Sequence, residues 1–114
     1  MEKRLGKITN VRFGLRGYQD CQFGLSLCFE SKNESWGVND FIAGGWSISM
    51  DCDSPFCKWT EKDRDDGFAK MVRRINQLLI DAKIDDVAKL KGKPVEVMFD
   101  GNCLKEWRIL TEVL

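Results

Sequence analysis

The sequence predicts an α+β fold in which a five-stranded antiparallel sheet carries one long amphipathic helix. Three observations lead to it: alternating apolar residues in the first forty positions, a long helical apolar period after Thr60, and two further alternating segments at the end. The order of elements is therefore β-β-β-α-β-β in a single domain, 1–114. The same order also fits an OB-like barrel, which stays open as an alternative.

The first three strands are predicted as a meander. Apolar residues occupy every second position of 11–15 and of 23–29, the pattern of a strand with one buried face. Residues 16–20 have hairpin-turn length and include a glycine. A third strand is expected over about 36–41. Residues 42–59 follow no period and are expected to form an irregular loop, a type of segment that is often functional.

The helix is the clearest element of the sequence. Thr60, followed three residues later by Asp63, is typical of a capping box. Apolar residues then recur at three-and-four spacing as far as Ala82, which predicts one buried stripe. A helix of about 24 residues would be about 36 Å long.

A hairpin is predicted at the end of the chain. Segments 95–99 and 107–113 alternate, and Asp100-Gly101 between them is a strong turn signal. The last strand is also apolar on its second side, at Leu104, Leu110 and Leu114. This predicts a central strand or a second contact such as a homodimer interface.

The composition argues against catalysis. The chain has 18 basic and 18 acidic residues and no histidine, so it is no polycation and lacks the commonest general base and metal ligand. Five cysteines without an export signal indicate reduced thiols in a cytoplasm. No apolar run is long enough to span a membrane. We expect a protein that is not an enzyme, with no catalytic residues, cofactor or metal.

Two binding surfaces are predicted instead. The first would contact a host protein or ribonucleoprotein complex through aromatic anchors and acids of the irregular loop and the start of the helix: Trp46, Asp51, Asp53, Phe56, Trp59 and Asp63. The alternative is a surface for single-stranded nucleic acid on the first hairpin, where basic and aromatic residues interleave: Arg12, Arg16 and Tyr18.

A resemblance to a known protein family lies in two blocks of the sequence. The first runs from Leu5–Leu15 through Ser35–Val38, and the second runs from Lys58–Glu61 through Trp107–Val113. In them the chain resembles a family of small orphan proteins of tailed bacteriophages and prophages. The family has no established activity, so the resemblance implies no site residues. It implies an accessory protein acting inside a bacterium, foremost an inhibitor of antiviral defence such as an anti-CRISPR protein. The alternative is a helper of phage replication or recombination.

Overall fold

The computed structural model describes residues 2–16, 21–31, 33–48 and 59–114. In it, five strands and one α-helix follow one another in the predicted order. The elements are β1 (Glu2–Arg16), β2 (Gln22–Ser31), β3 (Gly37–Trp46), α1 (Glu61–Ala82), β4 (Pro94–Asp100) and β5 (Cys103–Ile109). Short 3-10 helices occur at Val87–Leu90 and Thr111–Val113. The α+β class is confirmed.

The strands form one antiparallel sheet in the order β3-β2-β1-β4-β5. The first part of β1 pairs with β4 and its longer second part pairs with β2, so this strand joins the two hairpins. The sheet curls into a half-barrel, and its edges meet where Trp107 Nε1 donates to Asp40 Oδ2 at 2.6 Å. Among the described residues β3 and β5 share no main-chain ladder. The architecture thus lies between the open sheet and the OB-like barrel.

The concave side of the sheet, which we call the inner face, holds the core. Its fully buried residues are those of the alternating pattern, among them Ile8, Leu25, Leu27, Phe29, Val95 and Val97. The helix α1 covers this face with Met71, Leu78 and Ala82. At Gly44 the helix packs on the bare backbone of β3, because a Cβ there would lie 2.9 Å from the side chains of Phe68 and Met71.

A β-bulge in β1 exchanges the two faces of the strand. Ile8 pairs with Phe29 and Asn10 pairs with Cys28, so the residue between Ile8 and Asn10 is extra. Even-numbered side chains point to the inner face before the bulge, and odd-numbered ones such as Val11 do so after it. The outer face of β1 therefore carries even-numbered residues beyond the bulge.

The helix begins as the sequence predicts. Thr60 is its N-cap: its side chain accepts from the amide of Asp63 at 3.2 Å, and the Asp63 carboxylate accepts from the amide of Thr60 at 2.8 Å. The helix ends at Ala82, where Lys83 takes the left-handed conformation with φ of 58°. No helix of the described segments is long and apolar enough to cross a membrane.

Two sequence expectations are wrong. The strand β3 continues to Trp46, so residues 42–46 are not irregular; β3 approaches β2 closely at Gly24, where a Cβ would lie 2.2 Å from the carbonyl oxygen of Ile42. Of the two alternatives for the last strand, the central position is wrong, because β5 is an edge strand, while a second contact such as a homodimer interface stays a prediction. A register shift in the β4–β5 ladder brings Leu104 to the Phe99 side, and β5 ends at Ile109, so Leu110 and Leu114 lie beyond the strand.

Candidate functional site

The first three strands present a regular surface on the outer face, opposite α1. Cross-strand partners share a face of an antiparallel sheet, so the pairing of β1, β2 and β3 sets side chains in rows straight across it. The rows are Asn10–Cys28–Asn39, Arg12–Ser26–Phe41, Gly14–Gly24–Ala43 and Arg16–Gln22–Trp46. We call this surface the outer groove.

The outer groove has a floor of small residues between two different walls. On β2 the floor residues are Gly24, Ser26 and Cys28, whose short side chains leave a depression between the longer side chains of β1 and β3. Two arginines stand on β1 and the ring of Phe41 stands on β3, about 10 Å apart because adjacent strands are about 4.8 Å apart. A hollow of about 360 Å³ opens over this surface, lined by residues that include Arg12, Arg16 and Phe41.

The groove is basic. Arg12 is exposed and Arg16 half-buried, and neither forms an ion pair with another described residue. Arg16 donates to the carbonyl oxygen of Leu15 at 3.2 Å. The acidic residue that lines the hollow is Asp40, whose carboxylate is held by the amide of Phe41 at 2.9 Å and by the indole of Trp107. Two guanidinium groups are therefore available to an anion.

Other arginines of the sheet differ, because their charges are already matched. Arg108 donates to Glu112 at 2.7 and 2.8 Å and to Glu96 at 3.2 Å. These hydrogen bonds lower the pKa of Glu112 to about 2 and raise the pKa of Arg108. Arg4 contacts Glu2 at 2.9 Å, and this hydrogen bond lowers the pKa of the Glu2 carboxyl. The contrast singles out the two arginines of the outer groove.

Two of the three residues predicted for nucleic acid meet in this groove. Arg12 and Arg16 lie four residues apart on the same face of β1, beyond the bulge. Tyr18 lies outside the described residues. The geometry offers charged donors for phosphate oxygens on one wall and an aromatic ring for a flat base on the other.

The residues predicted for a protein partner are brought together only in part. Trp46 and Trp59 stack with ring centroids 6.2 Å apart and an interplanar angle of 22°, and the guanidinium of Arg64 lies 4.6 Å from the Trp59 ring centre. Asp63 is occupied in the helix cap. The remaining three residues lie outside the described segments: Asp51, Asp53 and Phe56. Because Trp46 shares a row with Arg16, the two predicted surfaces adjoin.

Sequence reasoning missed the residues that complete the groove. Phe41 was expected only as the end of a strand, and Asn10 and Asn39 attracted no prediction. The exposed amides of Asn10 and Asn39 face each other across Cys28. A signal was present on β2, whose outward positions 24, 26 and 28 are all small. It could not be connected to β1 and β3 without their register.

Cysteines and acids form no metal-binding group in the part of the chain that the structure describes. Cys21, Cys28 and Cys103 are free thiols there. Cys52 and Cys57 lie outside it. Among the described residues, the outer groove is thus the site on which functional reasoning rests.

Comparisons of the chain with family models, with curated proteins and with solved structures find no match.

Proposed function

We propose that the protein binds single-stranded nucleic acid in the outer groove. The Arg12–Ser26–Phe41 row carries the proposal, because it sets a cation, a small floor residue and an aromatic ring side by side. Proteins that bind single strands combine cations along the phosphate backbone with aromatic rings on which bases stack. Arg12 and Arg16 contact phosphates on the β1 side, and Phe41 stacks a base on the β3 side.

The shape of the groove favours a single strand over a duplex. Phe41 needs the open face of a base, which a duplex keeps stacked inside. Duplex binding also draws on many phosphate contacts, whereas this groove supplies two arginines and the whole chain has no net charge. The low floor along β2 gives an unpaired base room to lie between the walls.

Fluorescence anisotropy of labelled oligo-dT tests the proposal. At low salt, micromolar protein should raise the anisotropy, and duplex of equal length should bind more weakly. On single strands log Kd changes by about 0.7 per phosphate contact for each tenfold change in salt, so two arginines predict a slope of about 1.4. Arg12→Ala with Arg16→Ala should remove most of that slope. Phe41→Ala should weaken binding about 5- to 150-fold, since base stacking contributes about 1–3 kcal/mol.

The single variants Arg12→Ala and Arg73→Ala each remove one positive charge, so their comparison separates local contacts from overall charge. Arg73 is exposed on α1, which packs on the inner face, so Arg73→Ala should leave affinity and salt slope unchanged. Circular dichroism checks that each variant keeps its fold. An unchanged anisotropy with micromolar wild-type protein at low salt would rule the function out. Equal losses in the Arg73 and Arg12 variants would refute the assignment of the site.

The protein-partner hypothesis stays a prediction, as does the inhibition of a bacterial defence complex. Its support among the described residues is the Trp46–Trp59 stack beside the groove. The accessory role in phage replication or recombination fits single-strand binding and is part of the same proposal.

A further inference from the structure

The outer groove ends abruptly on the side of the β2–β3 turn. The small floor residues of β2 stop at Cys28, and the next outward residue is Glu30, which is exposed. Glu30 pairs with Lys7 on one side and Gly37 on the other, so this row sets one acid beside one exposed cation and has no net charge, no arginine and no aromatic ring. At Glu30 the floor of the groove therefore gains a longer side chain and a negative charge.

Acidic groups accumulate at this end of the groove. Glu30 and Glu34 line one shallow hollow with Trp36 and Gly37. Arg4 lies nearby but is shared between Glu2 and Glu34, at 2.9 and 2.8 Å. A phosphate continuing along β1 past Asn10 would find Lys7 on β1 but also the Glu30 carboxylate beside it on the floor, so this row offers it no net positive charge. Two like charges 4 Å apart repel by about 1 kcal/mol even in bulk water.

The length of the usable groove follows from the strand geometry. Four rows, from Arg16 to Asn10 on β1, are separated by three steps of about 7 Å, which gives about 20 Å. A stacked strand advances about 3.4 Å per nucleotide and an unstacked one advances further. A fully stacked strand would therefore place about six nucleotides along about 20 Å, and an extended strand with one nucleotide per row places about four, at the lower limit of about 4–16 known for single-strand sites on small barrels.

We infer that the outer groove is a short site for about four nucleotides of a single strand, and that Glu30 sets its end. This inference rests on the proposed function. The row from Arg16 to Trp46 is the last row of the described part of the path, and the Asn10–Cys28–Asn39 row, with an amide on each wall, holds the last nucleotide before Glu30.

A length series tests the inference. Oligo-dT of two to twelve nucleotides is titrated with wild-type protein by competition against one labelled oligomer. Affinity should rise steeply up to about four nucleotides and then change only by the number of equivalent positions on longer oligomers. The salt slope should stay near 1.4 at every length beyond four, because no further phosphate is contacted.

Glu30→Lys tests the boundary itself. With the carboxylate replaced by a cation, oligomers of six or more nucleotides should bind more tightly than in the wild type, and their salt slope should grow by about 0.7. Tetramers should gain less. Glu106→Lys is the matched control, since Glu106 is also exposed, lies on β5 away from the groove and changes the net charge equally. The control variant should not change the oligomer length at which the affinity stops rising.

The outcomes separate this inference from the proposed function. A wild-type plateau near four nucleotides that moves outward only in Glu30→Lys supports the short site. Wild-type affinity and salt slope that climb steadily to twelve nucleotides overturn it while leaving single-strand binding intact. Identical behaviour of the Glu30 and Glu106 variants overturns the role of Glu30. Failure of every oligomer to bind overturns the function and the inference together.

Discussion

Replacing Trp107 with phenylalanine should loosen the connection between the two edges of the half-barrel. The indole Nε1 of Trp107 on β5 donates to Asp40 Oδ2 on β3 at 2.6 Å. Among the described residues this is the side-chain hydrogen bond that links the two edge strands. The Trp107 ring also packs 4.7 Å from Phe29 and beneath Arg74, so the substitution removes some packing as well.

The expected loss can be estimated from the hydrogen bond. A bond to a charged group contributes about 1.5–3 kcal/mol, and Asp40 is only half-buried, which places this one near 1.5 kcal/mol. For a chain of 114 residues, a loss of 1 kcal/mol lowers Tm by about 4 °C. The hydrogen bond alone therefore accounts for about 6 °C.

A double-mutant cycle isolates this contribution. Trp107→Phe, Asp40→Ala and the double variant are unfolded in urea and followed by circular dichroism, so that the loss of one tryptophan does not affect the signal. The packing lost with Trp107, and the bond that Asp40 accepts from the amide of Phe41, largely cancel in the cycle. We expect a coupling energy of about 1.5 kcal/mol. A coupling below about 0.5 kcal/mol, the usual error of additivity, would refute the view that this bond joins the edges.

Two further predictions concern the helix and acid pH. Leu78→Ala should lower the free energy of unfolding by about 2–5 kcal/mol, because Leu78 is fully buried under the sheet. Ile80→Ala, on the exposed side of α1, should change it by less than about 0.5 kcal/mol. Unfolding in urea measures both variants. Glu112 has a pKa of about 2 in the folded protein, below its unfolded value, so its contribution to stability is present above about pH 4.5 and lost as pH falls towards 2. The difference in Tm between wild type and Glu112→Gln should therefore shrink over that range, and a constant difference would contradict the ion pair with Arg108.

Much of the fold was predictable from local patterns in the sequence. The alternation at 23–29 marks the residues of β2 that point into the core, and the three-and-four spacing after Thr60 marks the buried side of α1. The Thr60–Asp63 capping box and the turn at Gly101, with φ of 64°, also appear where predicted. These features depend on neighbours only a few residues apart, which is why a single sequence reveals them.

The errors arose where distant strands decide the outcome. The extension of β3 to Trp46 depends on close backbone contact with β2 at Gly24 and with α1 at Gly44. Neither contact produces a regular spacing of apolar residues that the sequence would show. The position of β5 depends on its partners: an apolar second side indicated a central strand, but β4 is its one neighbour in the sheet. Strand order is set by packing between segments far apart in sequence.

The same division applies to the candidate site. By itself the sequence determined the types and order of the elements, the inward residues of the strands, and Arg12 and Arg16 as candidate binding residues. Only the tertiary structure decided that Arg12 faces Phe41 across Ser26, with Arg16 on the same face of β1 and Glu30 at one end of the floor. The physical reason is register: the bulge after Ile8 and the pairing of three strands fix which side chains share a row, and both depend on contacts between the strands.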